Sequence, residues 1–241
     1  MKQPNNPTAA LLWPPLIQGT LVKRYKRFLA DVKLEYDSVV TAHCPNSGSM
    51  STCSESGRPV YISQSNNPKR KLAYTWELID MGSSLVGTNT NIPNRLVKAA
   101  SIAQDIPELS GYERVDSEVT INPHSRLDLM LSDPDKGRCY VEIKNCTLVT
   151  DGHAKFPDAV TTRGLKHIEE LRQLKKNGHR CAMFYLIQRM DAHLFSPADH
   201  IDPAYGIELR KAFDEGVEIL VYDTVITTTS ISIGKKVTCL L

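Results

Sequence analysis

The second half of the chain contains two apolar runs, YVEIKNCTL (140–148) and CAMFYLIQ (181–188), each with the length and composition of a buried strand. The segment between them, PDAVTTRGLKHIEELRQLKKNG, carries apolar residues at helical spacing. A helix that joins two buried strands has to pack against the sheet that those strands form. This feature predicts a sheet covered by helices.

The other elements of residues 85–241 extend this pattern. NRLVKAASIAQD predicts a helix capped by Asn94 or Thr90, and the helix after the 140–148 strand is predicted to begin at Asp158 and end at Gly178. Strands are predicted at RVDSEVTI, SRLDLMLS and VEILVYDTVI, and a last helix at PAYGIELRKAFDEG. The order α-β-β-β-α-β-α-β predicts a mixed sheet flanked by helices.

Residues 1–84 show a different pattern, with short strand-like runs and no helical spacing. The runs are separated by turn-forming segments such as HCPNSGSM, SESGR and SNNPKR. Five short strands in about eighty residues are typical of a small closed barrel such as an OB-fold, and a small sandwich is the alternative. The chain is therefore predicted to be all-β in its first domain (1–84) and α/β in its second (85–241).

Charge is divided unevenly between these two parts. Residues 1–84 hold ten Lys and Arg against six Asp and Glu, whereas residues 85–241 hold 19 against 21. The net charges are thus +4 and −2, within a total of only +2. This division favours a first domain that binds a polyanion and a second that can bind cations.

Nothing in the sequence predicts a membrane protein. No apolar stretch approaches the roughly 20 residues that a transmembrane helix needs. The first segment, MKQPNNPTAALLWPPLIQG, is rich in Pro and Asn and lacks the apolar core of a signal peptide. We therefore expect a cytoplasmic protein.

The strand at 140–148 carries two charged residues in an otherwise apolar run. Because side chains alternate along a strand, Glu142 and Lys144 face one side, and Val141 and Ile143 face the other. Asp128 lies on the preceding strand, and the turn-forming SDPDKGR lets that strand return antiparallel. The pattern therefore predicts that Asp128 meets Glu142 and Lys144 across the sheet.

Two carboxylates beside a lysine suit a hard divalent ion and a phosphate ester. Asp128, Glu142 and the backbone carbonyl of Ile143 would bind Mg²⁺ or Mn²⁺, and Lys144 would position a water molecule or stabilise charge in the transition state. The spacing resembles the PD-(D/E)xK signature of nucleases. The alternative is a surface salt bridge on a half-exposed sheet.

A longer resemblance covers nearly the whole chain. The segments CPNSGSM, NPKRKLAYTWEL, ELSGY, SEV, SRLDLML, CYVEIKNCTL, FPDAVTTRGLKHIEEL and FSPADHID occur in the order found in the sugar fermentation stimulation protein A family. The resemblance implies an N-terminal OB-like domain that binds DNA and a C-terminal PD-(D/E)xK-like nuclease domain with the restriction-endonuclease-like fold, and so a divalent-metal-dependent nuclease. It also implies a rival function, a DNA-binding regulator of maltose metabolism whose second domain is only a scaffold.

Three further residues are candidates for the active site. Glu118 could supply a third acidic ligand, or it could be an exposed strand residue. Arg163 and His167 lie four residues apart on one edge of a predicted helix. Arg163 could reach the scissile phosphate, and His167 could reach the leaving group or lie behind the metal ligands, and a solvated helix face is the alternative.

Two basic clusters in the first domain predict a nucleic-acid interface. The stretch from Lys23 to Phe28, KRYKRF, mixes cations with aromatic residues, and on one strand Lys23, Tyr25 and Arg27 would face opposite to Arg24, Lys26 and Phe28. Lys69, Arg70 and Lys71 form the second cluster, in a predicted loop. Solvated surface charge is the alternative. DNA is the predicted partner, and a homo-oligomer is left open.

Overall fold

The structure is a computed structural model that describes residues 9–241. Residues 1–8 lie outside the described residues. They are the first part of the segment that is predicted not to be a signal peptide. The strands of the first part are β1 (Ala10–Leu12), β2 (Leu16–Tyr25), β3 (Leu29–Lys33), β4 (Val39–His43), β5 (Pro59–Gln64), β6 (Tyr74–Asp80) and β7 (Leu85–Gly87).

Strands β2 to β6 form a closed five-stranded barrel. Their sheet runs in the order β4-β3-β2-β5-β6-β7, and a parallel pairing of β4 with β6, at Ala42 and Tyr74, closes it. Apolar side chains of every barrel strand fill the interior, with the fully buried Trp76 the largest among them. The prediction of an OB-like barrel is confirmed, because the strands close on themselves and do not form a sandwich.

Strand β1 belongs to the sheet of the second part, although it lies within residues 1–84. Its residues pair antiparallel with a strand near the C-terminus, with Leu11 opposite Ile231. The indole Nε1 of Trp13 donates a hydrogen bond to the carbonyl of Thr227, at 3.0 Å. The start of the described chain therefore ties the barrel to the far edge of the second sheet.

The second part contains three α-helices and ten further strands within the described residues. The helices are α1 (Ile92–Ile102), α2 (Thr162–Lys176) and α3 (Pro203–Asp214). The strands are β8 (Arg114–Asn122), β9 (Ser125–Asp133), β10 (Gly137–Cys146), β11 (Val149–Thr150), β12 (His153–Phe156), β13 (Arg180–Ile187), β14 (Leu194–Pro197), β15 (Glu218–Ile226), β16 (Ser230–Lys236) and β17 (Thr238–Cys239).

The main sheet has seven strands in the order β1-β16-β15-β13-β10-β9-β8. β10, β13 and β15 are parallel, whereas β8 and β9 add antiparallel strands on one side. Side chains of β13 alternate between two cores: Phe184 packs with α1 on one face, and Tyr185 packs with α2 and α3 on the other. The predicted mixed sheet flanked by helices is confirmed.

Helices α1 and α2 begin at residues other than those predicted. Asn91 precedes α1, and neither Asn94 nor Thr90 caps it. Thr161 caps α2 because its Oγ1 accepts a hydrogen bond from the backbone of Gly164 at 3.0 Å. Asp158 therefore does not begin the helix. Its carboxylate accepts hydrogen bonds from the barrel side instead, including one from Met50 N at 3.3 Å.

Several hydrogen bonds lock the barrel against the second domain. Gly87 N donates to the carbonyl of Gln188 at 2.8 Å, and the hydroxyl of Thr52 donates to the carbonyl of Thr147 at 3.1 Å. The buried guanidinium of Arg189 donates to that same carbonyl at 3.2 Å. These contacts hold the barrel and the second domain together. In the part of the chain that is described, the helices are too short and too polar to cross a membrane.

Candidate active site

β9 and β10 bring Asp128, Glu142 and Lys144 together on one face of the main sheet. The strands are antiparallel, with Leu129 opposite Val141, so the next position along places Asp128 beside Glu142. The Oδ2 of Asp128 accepts a hydrogen bond from the backbone N–H of Ile143 at 2.7 Å. The juxtaposition expected from the spacing therefore occurs, and it lies at a cavity of about 240 Å³.

Glu142 is the most buried member of this group, with only 2% of its surface exposed. Its Oε1 accepts hydrogen bonds from the Nδ1 of His167 and from the Nζ of Lys144, the latter at 2.6 Å. Burial raises the pKa of Glu142, but the hydrogen bond from His167 and the charge of Lys144 outweigh burial and hold that pKa below its usual range. The carboxylate is therefore ionised at neutral pH.

The second oxygen of this carboxylate, Oε2 of Glu142, is buried and has no hydrogen-bond partner among the described residues. Leaving an ionised oxygen buried and unpaired is unfavourable, so such an atom requires an explanation. A cation beside it would supply the missing partner. Within residues 9–241 no three His, Cys, Asp or Glu side chains converge to form a complete metal site. Asp128 and Glu142 therefore provide a partial shell of two carboxylates.

Asp128 is held from two sides. Besides the bond from Ile143, its Oδ1 accepts a hydrogen bond from the Nδ2 of Asn94, on α1, at 2.7 Å. Burial, and then the nearby carboxylate of Glu142, raise the pKa of Asp128 to about 6, although the N–H of Ile143 and the charge of Lys144 oppose the rise. The site thus holds two carboxylates whose mutual repulsion a cation would relieve.

We expect Asp128→Asn to stabilise the metal-free protein at about pH 8 by about 1–3 kcal/mol. At that pH the wild-type carboxylate is ionised in both states, and in the folded state it is buried beside Glu142. As the pH falls through about 6 the folded group takes up a proton, and the advantage of the variant vanishes near pH 4, about the pKa of an unfolded Asp. Urea unfolding in EDTA at several pH values measures this difference.

Asp135→Asn, the same substitution in an exposed turn, is the control for that experiment. It measures the change in stability when a carboxylate is replaced by an amide outside the site, for comparison with Asp128→Asn. A stability difference for Asp128→Asn that stays constant across the pH range would contradict an ionisation effect.

Arg163 and His167, both in the first turns of α2, have different surroundings. Arg163 is exposed and lines the cavity of the acidic site. His167 is buried, and its Nδ1 lies 3.3 Å from the Nζ of Lys144 as well as against Glu142. The structure thus places His167 behind the carboxylate, not over the cavity where a leaving group would lie.

Glu118 does not join the acidic pair. It lies in β8 between the pairings Ser117–Leu129 and Val119–Leu127, and its φ of +54° departs from regular strand geometry. Its side chain is exposed and lines a neighbouring cavity. The expectation of a third acidic ligand assumed regular strand geometry, from which the positive φ of Glu118 departs.

The stretch from Lys23 to Phe28 is not one continuous strand. β2 ends at Tyr25, and positive φ angles at Lys26 (+50°) and Arg27 (+63°) form the turn to β3. The prediction that alternate residues of the stretch face opposite sides is therefore wrong from Lys26 onward. Arg24 is also engaged in the structure, since its guanidinium donates to the carbonyls of the 46–49 loop, including Gly48 at 2.8 Å.

Lys26, Arg27 and Phe28 are exposed at the tip of the β2–β3 hairpin. Lys23 and Tyr25 both contact Asp31, the ammonium of Lys23 at 3.7 Å and the hydroxyl of Tyr25 at 3.1 Å. The second cluster, residues 69–71, is exposed in the β5–β6 loop as predicted. The last residues of β4 pair with β3 beside the hairpin and with the start of β6, which follows the 69–71 loop. Both clusters therefore lie at one end of the barrel.

Asn94 is the site residue that sequence reasoning missed. Its position near the start of a predicted helix suggested a cap, whereas its amide holds Asp128. The indication in the sequence was that Asn94 lies in the first turn of the helix that precedes the strands of Asp128 and Glu142. Contact between that helix and β9 depends on how α1 packs on the sheet, which spacing along the chain does not reveal.

Two family models match the chain. Residues 22–88 match the "SfsA N-terminal OB domain", and residues 91–230 match the "Sugar fermentation stimulation protein RE domain". The chain belongs to the sugar fermentation stimulation protein family. Both matches agree with the fold described above, a barrel followed by a domain of the restriction-endonuclease type.

Individual relatives extend the match along the chain. The sugar fermentation stimulation protein homolog of Geobacter sulfurreducens is 50% identical over 92% of this chain and 95% of its own length. The homolog of Pelobacter propionicus is 50% identical over 95% of this chain and 99% of its own. A solved structure of Pyrococcus furiosus SfsA in complex with Ca²⁺ matches with a TM-score of 0.87 at 22% identity, covering 96% of this chain and 98% of that chain. At that identity the likeness shows the fold.

Proposed function

We propose that this protein is a divalent-metal-dependent nuclease whose second domain hydrolyses phosphodiester bonds in DNA. The observation that carries the proposal is the buried Oε2 of Glu142, which lies next to Asp128 and Lys144 and has no hydrogen-bond partner within residues 9–241. A surface salt bridge, the alternative from the sequence, would leave its carboxylate exposed to water, whereas Glu142 is almost fully buried. The arrangement suits a hard cation.

The chemistry of the donors fits Mg²⁺ or Mn²⁺. Asp128, Glu142 and the carbonyl of Ile143 would hold the ion, with water and phosphate oxygens completing its shell. When bound, the ion polarises the scissile phosphodiester and lowers the pKa of a coordinated water. The presence of Ca²⁺ in the Pyrococcus furiosus SfsA complex supports the choice of a divalent cation with oxygen ligands.

The protein's own side chains would orient the reaction. Asn94 fixes one oxygen of Asp128, and His167 fixes one oxygen of Glu142, so both carboxylates are held before substrate arrives. The ammonium of Lys144, only 13% exposed, lies beside them and would position the attacking water and stabilise negative charge on the phosphate. Arg163 is exposed in the same cavity and would contact a phosphate oxygen.

The barrel would bind the DNA. Exposed cations at one end of the barrel, Lys26, Arg27 and residues 69–71, are suited to phosphate contacts, and Phe28 can stack on a base. Lys23, Arg24 and Tyr25 would contribute less than the sequence suggested, because their side chains already have protein partners.

Incubating the purified protein with labelled single- and double-stranded DNA tests the proposal. We expect cleavage with Mg²⁺ or Mn²⁺ and none in EDTA, and we expect added divalent ion to restore it. Absence of cleavage with either ion on both substrates, in protein that binds DNA, would refute the proposed hydrolysis.

A DNA-binding regulator of sugar metabolism is the second candidate function. The names of the relatives and the exposed cations of the barrel favour it. A regulator needs metal-independent preference for one sequence over competitor DNA, typically by a factor of 10³ or more. Such a preference without any nicking would favour regulation, whereas metal-dependent cleavage favours the nuclease.

A further inference from the structure

Three small cavities adjoin one another and form a groove from the barrel to the β8–β9 hairpin. The cavity of the acidic site shares Thr90, Asn145 and Thr161 with a cavity of about 320 Å³ that reaches the barrel. On its other side it shares Arg163 with a cavity of about 370 Å³ beside the β8–β9 hairpin. The acidic site is therefore the middle of a continuous groove.

Exposed cations lie at both ends of this groove. Arg27 lines the barrel end and makes no ion pair within the described part of the chain, so its guanidinium is available to a ligand. Arg126 and Arg163 line the hairpin end and are also exposed. The carboxylate in the barrel-end wall, Asp158, is tied to the barrel by hydrogen bonds from Ser49 and Met50. The hairpin end also holds the exposed carboxylate of Glu118, which Arg126 and Arg163 outnumber, so the charge pattern is cation, acidic site, cation.

We infer that the groove binds one unpaired DNA strand, which runs from Arg27 across Asp128 and Glu142 to Arg126. This inference deepens the proposed function and rests on it for the placement of the scissile bond. Phosphates on either side of the reacting one contact Arg27 and Arg126, whereas the reacting phosphate lies at the acidic pair. A polyanion would be repelled by the carboxylates alone, so the flanking cations are needed to hold it there.

The small size of the three cavities favours a single strand over a paired duplex along this path. Each cavity, at about 240–370 Å³, has the size of a small-ligand pocket and accommodates part of a single strand. The barrel and the second domain are held together by the bonds from Gly87 to Gln188 and from Arg189 to Thr147.

Fluorescence anisotropy in EDTA measures this binding without hydrolysis. We expect the wild-type protein to bind a labelled single-stranded oligonucleotide at least tenfold more tightly than the same sequence as a blunt duplex. Arg27→Glu and Arg126→Glu, at opposite ends of the groove, are each expected to weaken single-strand binding about tenfold. Each should also reduce the slope of log K against log salt by about 0.7, the value for one phosphate contact on a single strand.

Lys33→Glu is the matched control, because Lys33 is an exposed cation at the end of β3 away from the hairpin tip. We expect it to change the affinity less than twofold. Equal affinity for single strand and duplex, or unchanged affinity in either groove variant with a native melting curve, overturns the strand path. Because these measurements contain no metal, a failure to cleave DNA would refute the proposed hydrolysis and leave the binding result standing.

Discussion

Lys144→Ala is expected to lower the rate of metal-dependent DNA cleavage by roughly 10²- to 10⁴-fold, the range for removal of a positioned catalytic group. The ammonium lies 2.6 Å from Glu142 and at the cavity in which the phosphate would react. Alanine removes both the group that positions water and the charge that stabilises the transition state. Single-turnover cleavage of a labelled strand at saturating Mn²⁺ measures the chemical step.

Asp128→Asn tests the same site by removing one of the two carboxylates that would bind the metal. Because one carboxylate of the pair is lost, we expect a similar fall in rate and weaker stabilisation of the protein by added Ca²⁺, measured as a smaller rise in melting temperature. The double variant should be little slower than either single variant, since the groups act on one step.

Lys176→Ala is the control for these variants. It also removes a lysine charge, but from the last turn of α2, at the other end of that helix from His167. Its cleavage rate should match that of the wild type. Cleavage that continues undiminished in both Lys144→Ala and Asp128→Asn would show that hydrolysis occurs elsewhere or comes from a contaminant.

Much of this site was accessible from the sequence because strand geometry is regular. Glu142 and Lys144 share a face by alternation alone, and the turn-forming segment after Asp128 implies an antiparallel return. The order of helices and buried strands likewise predicts the mixed sheet, and turn residues between short apolar runs predict the barrel. In each of these cases the pattern of strand alternation, helical spacing or turn residues continues unbroken along the segment.

The errors occur where a local irregularity or a distant contact decides the outcome. A positive φ at Glu118 and a turn at Lys26 interrupt the regular strand geometry on which the predictions relied. Asp158 is of a residue type that often caps helices. Its hydrogen bond with Met50, more than a hundred residues away along the chain, forms only in the folded protein. The same holds for Asn94, which meets Asp128 through packing of α1.

The small sheet β11-β12-β14-β17 was missed for another reason. Its strands are only two to four residues long and lie in mixed, partly polar sequence. Such short runs carry no periodic signal, and their pairing depends on tertiary contacts.

Phe184→Ala is expected to lower the free energy of unfolding by about 3–5 kcal/mol, the usual range for removal of a large buried aromatic side chain. Phe184 is fully buried in the centre of the main sheet, and its ring stacks on Tyr222 with centroids 5.5 Å apart. Alanine would leave a cavity that rigid strands on both sides cannot close. Urea unfolding should show a lower midpoint with an unchanged m-value.

Phe184→Leu is the matched control and should cost less than about 1.5 kcal/mol, since it keeps most of the apolar volume. Phe184 pairs with Ile143 on β10, so its side chain lies on the sheet face opposite to Glu142 and Lys144. The alanine variant should therefore keep its cleavage rate well below its melting temperature, despite its lower stability. Loss of cleavage in folded Phe184→Ala protein would instead show that the acidic site depends on the packing behind β10, and that alternation of faces does not insulate it.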